Sequence, residues 1–436
     1  MIITPVTSSS SEGLEILSAL KNRFRMADEK CQQAVNEILK QVLERKDEAV
    51  LEYTRKFDAP NMAKEQLRVS DQEFADADKQ VSAEFKKTLA FAIERIQTFH
   101  EREKEESWTI TREDGAVTGR LVLPVASAGL YVPGGKGGST PLVSSVLMNG
   151  IPAGIAGVKH RVMVTPPDEN GRINPALLVA AKSIGINEIY KCGSAWAIAA
   201  LAFGTETIPP VDVIVGPGNQ YVTEAKRQVS GKIRIDMIAG PSEVLIVADE
   251  TARADYIAAD MLAQAEHDPQ ALAICVTTNS NLAKQVVIEL QVQLEQLSRK
   301  DIATQSLTER GVILVAENVD EALNIANRIS PEHLELMIDK PFERLDQIRH
   351  AGAIFLGNYT PESVGDYVAG PNHVLPTMGT ARVSSALGVE TFIKRTSLIS
   401  YTREALAADA EHIQRLANLE GLTAHAKSAA IRVDKK

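Results

Sequence analysis

A chain of 436 residues exceeds what one core usually organises, so two or more domains are expected. Its 44% hydrophobic and 24% charged content is that of a globular protein, and a net charge of -10 argues against nucleic acid as a partner, because phosphate binding needs a concentrated basic surface. No apolar run is long enough for a bilayer span, no basic-then-apolar leader opens the chain, and Cys31, Cys192 and Cys275 are odd in number and far apart, so a soluble cytoplasmic protein with reduced, buried cysteines and no membrane partner is expected.

The first hundred residues read as helical. Val35, Ile38, Leu39, Val42 and Leu43 recur at helical spacing, as do Phe85, Leu89, Ile93 and Ile96, and these stripes are packing faces. His100, between Phe99 and a run of charges, reads as a surface residue. From about Gly119 short apolar runs alternate with helical patterns. Arg120-Leu-Val-Leu-Pro-Val, Arg161-Val-Met-Val-Thr, Glu188-Ile-Tyr-Lys-Cys and Val211-Asp-Val-Ile-Val read as strands. So do Glu243-Val-Leu-Ile-Val-Ala, Ala271-Leu-Ala-Ile-Cys-Val, Gly311-Val-Ile-Leu-Val-Ala and Ala351-Gly-Ala-Ile-Phe-Leu. Helices over 175–183, 253–266 and 282–297 lie between them, and the tail after about Thr402 is helical again. Strands alternating with helices imply parallel sheets covered on both faces. The strands are too many for one small sheet. The expected fold is α/β, with two Rossmann-like parallel-sheet units and helical N-terminal and C-terminal segments. Residues 1–118 would form the helical start, 119–240 the first unit, 241–385 the second, and 386–436 the tail.

Several segments carry groups fit for chemistry. The stretch from Tyr131 to Thr140 and Gly216-Pro-Gly-Asn219 are Gly-rich turns after strands, where backbone amides at a helix start attract phosphate. Neither is GxGxxG or a P-loop, and ordinary βα turns explain them equally well. Gln264 and His267, three apart at a helix end before Pro269, can point the same way. Glu332 and His333 stand side by side between a helix end and an apolar strand, where a rigid strand aims groups emerging from a loop. An imidazole there can exchange protons near pH ~6.5. Asp366 and His373 lie in a Gly- and Pro-broken loop. Glu420 and His425 lie near the C-terminus and join a site only if the tail folds back or reaches another subunit. His160, His350 and His412 read as structural. Together the clusters point to a mixed His, carboxylate and amide site, metal-bound or catalytic, assembled from distant parts of the chain.

The ordered set of motifs resembles the histidinol dehydrogenase family across essentially the whole chain. It runs through Tyr131-Val-Pro-Gly-Gly, Ser145-Val-Leu-Met-Asn149, Ala200-Leu-Ala-Phe-Gly-Thr205, Gly216-Pro-Gly-Asn219 and Ala239-Gly-Pro-Ser-Glu243. It continues through Gln264-Ala-Glu-His267, Ser330-Pro-Glu-His-Leu-Glu335, Asn372-His-Val-Leu-Pro-Thr377 and Glu420-Gly-Leu-Thr-Ala-His425. The resemblance implies oxidation of L-histidinol to L-histidine through the aldehyde, with zinc and two NAD. It implies zinc ligands Gln264, His267, Asp366 and His425, the last from the partner in a homodimer. The same four residues, with Ser242, His333, His373 and Glu420, would contact substrate. Tyr131, Trp196 and Asn219 match the positions that contact NAD. His333 would be the base for the alcohol and Glu332 the activator of water. Two features depart from the family pattern: Trp196 replaces a common Gln, and the 136–143 loop is longer than the commonest form. Oxidation of another polar alcohol, a zinc hydrolase and a silent metal-binding protein are the competing readings.

Overall fold

The computed structural model describes residues 2–23, 29–134 and 140–433, so most of the expected long loop, residues 136–139, lies outside the described residues. Its strands are, in chain order, β1 (Val6–Thr7), β2 (Trp108–Thr111), β3 (Val117–Pro124), β4 (Ser127–Tyr131), β5 (His160–Thr165), β6 (Glu188–Lys191) and β7 (Val213–Val215). Then follow β8 (Arg234–Ile235), β9 (Glu243–Ala248), β10 (Leu272–Thr277), β11 (Val312–Val315), β12 (His333–Met337), β13 (Ala353–Leu356) and β14 (Ile393–Ser400).

Two parallel sheets form. One has the order β6-β5-β4-β7-β8 and the other β1-β11-β10-β9-β12-β13. Without β1, both follow the same path: three strands step outward to one side, then two are added on the other. Every residue of β4, β9, β10 and β12 is buried, as expected for strands covered by helices on both faces. The helix Glu29–Arg45 buries Cys31, Val35, Ile38, Leu39 and Val42 against the first sheet's helices, and Leu43 remains exposed. All three cysteines are free and buried. Among the described residues no helix is long and apolar enough to cross a membrane.

Three expectations need correction. The Arg120 stretch is a strand, but β3 pairs antiparallel with β2 and β14 in a third sheet. Its residues are half-buried or exposed, so it lacks the two-sided cover that parallel strands require. His100 is fully buried at the end of the helix Ala83–His100, its Nδ1 2.7 Å from Glu103 Oε2. A carboxylate partner makes that burial tolerable. The first residues are not all helical either: β1 adds a parallel edge strand to the second sheet.

Candidate active site

In the first sheet the chain reverses direction of growth between β4 and β7, which opens a crevice at their C-terminal ends. Tyr131 ends β4, and Gly216 to Asn219 follow β7. Gly216 has φ +115°, and a Cβ there would stand 2.1 Å from the Tyr131 carbonyl oxygen, so only glycine permits this approach. Its N–H donates to Asp236 Oδ2 at 2.8 Å, and its carbonyl accepts from buried Lys226 Nζ at 2.9 Å. Asn219 caps the helix Gln220–Val229, accepting from Tyr221 N and Val222 N, which places a positive helix end at the crevice.

Trp196, expected among the cofactor contacts, lies in the first core, as Tyr131 does. It is 4% exposed and stacked with Tyr53 and Phe57, centroids 5.7 and 5.5 Å away. Its Nε1 donates to Thr54 Oγ1 at 3.1 Å. Two aromatic rings and a hydroxyl are thus partners of the indole.

The second sheet uses the opposite edge. Ser242 precedes β9, His333 opens β12, and the helix Ala254–Ala265, running against the strands, brings its C-terminal end with Gln264 and His267 to the same side. Strand alternation sets the facing. Leu334 and Leu336 pack with the helix Val319–Ile329, whereas Met337, of the same parity as His333 and Glu335, packs with Ile257 and Met261. His333 and Glu335 therefore face the Gln264 helix.

The backbone of Glu243 grips both residues of the Glu332–His333 pair. Its N–H donates to Glu332 Oε2 at 2.8 Å, and its carbonyl accepts from His333 Nδ1 at 2.9 Å. With Nδ1 committed as donor, Nε2 carries the lone pair, and it is buried without a partner. Burial pushes the His333 imidazolium down to about 4 against the opposing pull of Asp366, with His267 and His373 lowering it further. Burial likewise raises Glu332 well above the carboxylate range, opposed by the Glu243 N–H and reinforced by Glu362, Glu243 and Asp366.

Glu362 and Asp260 carried no signal in the sequence, and Glu335 stood only as the last residue of the Ser330–Glu335 motif. Glu362 Oε1 lies 3.7 Å from His333 Nδ1, and its own N–H donates to Glu335 Oε1 at 3.0 Å. Burial raises Glu362 and Glu335, and it raises Asp260, which is hydrogen-bonded to Glu335, to about 6. Asp366, expected in a loop, lies instead on the short helix Glu362–Tyr367, one turn after Glu362, which turns both toward His333. Ligand atoms of His333, Glu362 and Asp366 lie within 4.8 Å of one another. Among the described residues no Lys or Arg pairs with Glu332, Glu335, Glu362 or Asp366. Gln264 is fully buried with both amide atoms unpartnered, and His373 Nε2 is also buried and unpartnered. Such a concentration of buried acids and unpartnered lone pairs could hold a cation.

The two edges meet through short links. Asn149 Nδ2 donates to Tyr131 O at 3.1 Å, and Asn372 Nδ2, beside His373, donates to Met148 O at 2.8 Å. Gly240 N donates to Thr377 Oγ1. Glu420 and His425 stand apart, exposed at the junction of the helices Arg403–Leu419 and Thr423–Val433.

Known proteins resemble this chain in sequence and in fold. A family model described as histidinol dehydrogenase matches residues 21–433. Histidinol dehydrogenase of Desulfotalea psychrophila is 66% identical, over 99% of this chain and 100% of that one. The one from Nitratidesulfovibrio vulgaris is 55% identical over 93% of each. The crystal structure of histidinol dehydrogenase from Elizabethkingia anophelis superposes with a TM-score of 0.90 at 40% identity, covering 96% of both chains. Sequence, fold and site together place this chain in the histidinol dehydrogenase family.

Proposed function

We propose that the protein oxidises L-histidinol through L-histidinal to L-histidine in the cytoplasm, using two NAD and one zinc per subunit. The observation that carries the reading is the unpaired acid cluster around His333, joined by short links to the glycine-dependent crevice at Tyr131 and Gly216. Histidinol is a cationic amino alcohol bearing an imidazole, so it offers the charge that this cluster lacks.

Gln264, His267 and Asp366 would hold the zinc, with His425 of the partner subunit completing a tetrahedral set of N and O ligands. The orphaned amide of Gln264 fits that duty. When bound, zinc supplies a fixed positive charge that orients the substrate's imidazole and amine. NAD, seated at Tyr131 and Asn219, supplies the hydride acceptor for both oxidations. Ser242, His373 and Glu420 of the partner subunit would complete the substrate contacts.

The proton chemistry follows from the Glu243 grip. His333 enters neutral, with its Nε2 lone pair facing the site, and takes the alcohol proton as hydride leaves the carbinol carbon. Glu332 has one oxygen held by Glu243 N, which leaves the other to accept a proton from the water that attacks the aldehyde. The resulting hydrate loses the second hydride to give the carboxylate. No cysteine is needed as a nucleophile, and burial pushes the Cys275 thiol up to about 12.

Dimerisation belongs to the same reading. Ile413, Leu416, Leu419 and Leu422 leave an exposed apolar face on the tail that carries Glu420 and His425, as a tail exchanged between subunits requires. Mixing the purified protein with histidinol and NAD should raise NADH absorbance, and metal analysis should find one zinc per subunit. Amide hydrolysis without NADH would overturn the reading, and NADH formed only from a different polar alcohol would reassign the substrate.

A further inference from the structure

Arg23 lies more than three hundred positions from the catalytic pair, and no motif includes it. Its guanidinium is buried, 9% exposed, and every one of its five N–H donors has an acceptor. Nε and Nη2 bond Glu243 Oε1 and Oε2 at 2.5 and 2.6 Å, a bidentate pair. Nη1 donates to Leu20 O and Ile329 O, each at 2.8 Å, and Nη2 also donates to Ser330 O at 3.4 Å. The cation thus sits on the carbonyl ends of two helices, Ser11–Lys21 and Val319–Ile329, where the helix dipole favours it.

Two of the tethered points frame the active pair. Ser330 has φ +54°, a left-handed conformation unusual for serine, and it sets the direction in which the chain leaves its helix two residues before Glu332. Glu243 is the residue whose peptide holds both Glu332 and His333. We propose that Arg23 is a positioning residue: through Glu243 and the Ser330 turn, it fixes the tautomer and aim of His333 and the aim of Glu332 together. The N-terminal segment is thereby part of the catalytic apparatus, although it contributes no group that touches substrate.

The proposal rests on the histidinol-oxidation reading for its kinetic assay, and an independent readout separates the two. Lysine keeps the charge but cannot reproduce a planar fork that reaches a carboxylate and three carbonyls at once. In the zinc- and NAD-loaded enzyme, Arg23→Lys should lower kcat with histidinol and with histidinal by similar factors, about tenfold to a hundredfold, the cost of slight misplacement. KM for histidinol and zinc content should stay near wild type. Glu243→Gln, which keeps the peptide and loses the ion pair, should lower both rates in the same direction and covers the case in which Arg23→Lys does not fold. Ring-nitrogen NMR of His333, assigned by its loss in His333→Asn, should show the Nδ1–H tautomer in wild type and a mixture in the variants. A folded variant with unchanged rates and tautomer would overturn the clamp. A wild type that makes no NADH, with the Nδ1–H tautomer in it and a mixture in the variants, would instead overturn the functional reading and leave the clamp standing.

Discussion

At the scale of single residues, the chemistry depends on which atom of each side chain is already spent. His333 has Nδ1 committed and Nε2 open, so His333→Asn should cut histidinol oxidation by roughly 10²–10⁴-fold while zinc content stays stoichiometric. Glu332→Gln should slow conversion of histidinal more than that of histidinol, measured as separate half-reactions. Loss of zinc in either variant would show that ligands had been mistaken for catalysts. Asp58 tests burial alone. Desolvation raises it from 3.8 to about 6, and its Oδ2 has no partner. An acid whose folded-state pKa is raised contributes stability below its unfolded value and loses it as pH rises through the folded value. Asp58→Asn should therefore raise Tm by about 2 °C near pH 8 and change it little near pH 4, read by thermal unfolding across pH. An equal change at both ends would remove desolvation as the cause. The pair Glu332–His333 was legible because acid and imidazole are adjacent in sequence. Arg23 and Glu362 were not, because a lone charged residue gives no sign of a partner far along the chain.

At the scale of elements, what decided legibility was burial on both faces. The runs that became β9 and β10 are nearly continuous apolar stretches, and the structure has them within a residue or two of their expected positions. β1 is two residues long, and β3 is exposed, so neither announced its sheet. The second sheet carries its site at the N-terminal edge, which strand patterns do not specify. The reason is local: β9 and β12 begin where the Gln264 helix ends. Tyr53, Trp196 and Phe57 form an aromatic stack in the first core. Trp196→Ala should cost about 3–5 kcal/mol in urea unfolding through the cavity it leaves. KM for NAD should stay within about twofold, because uniform binding is what KM reports. A large rise in that KM without loss of stability would return Trp196 to the cofactor site.

At the scale of the whole molecule, the two parallel sheets share one strand order apart from β1, the tail carrying Glu420 and His425 is exposed, and on the proposed function that tail completes a neighbour's site. Subunit exchange tests this. His333→Asn and His425→Ala, each inactive alone, should on mixing recover about a quarter of wild-type activity, since half the dimers are mixed and each restores one site. No recovery after verified exchange would place His425 in its own subunit's site. The central claim is four-electron oxidation of one substrate at one site, and the number of NADH formed per histidinol consumed tests it most directly. The account predicts two, with histidine as the product. A value of one with histidinal accumulating would contradict the role given to Glu332, and no NADH at all would contradict the whole assignment.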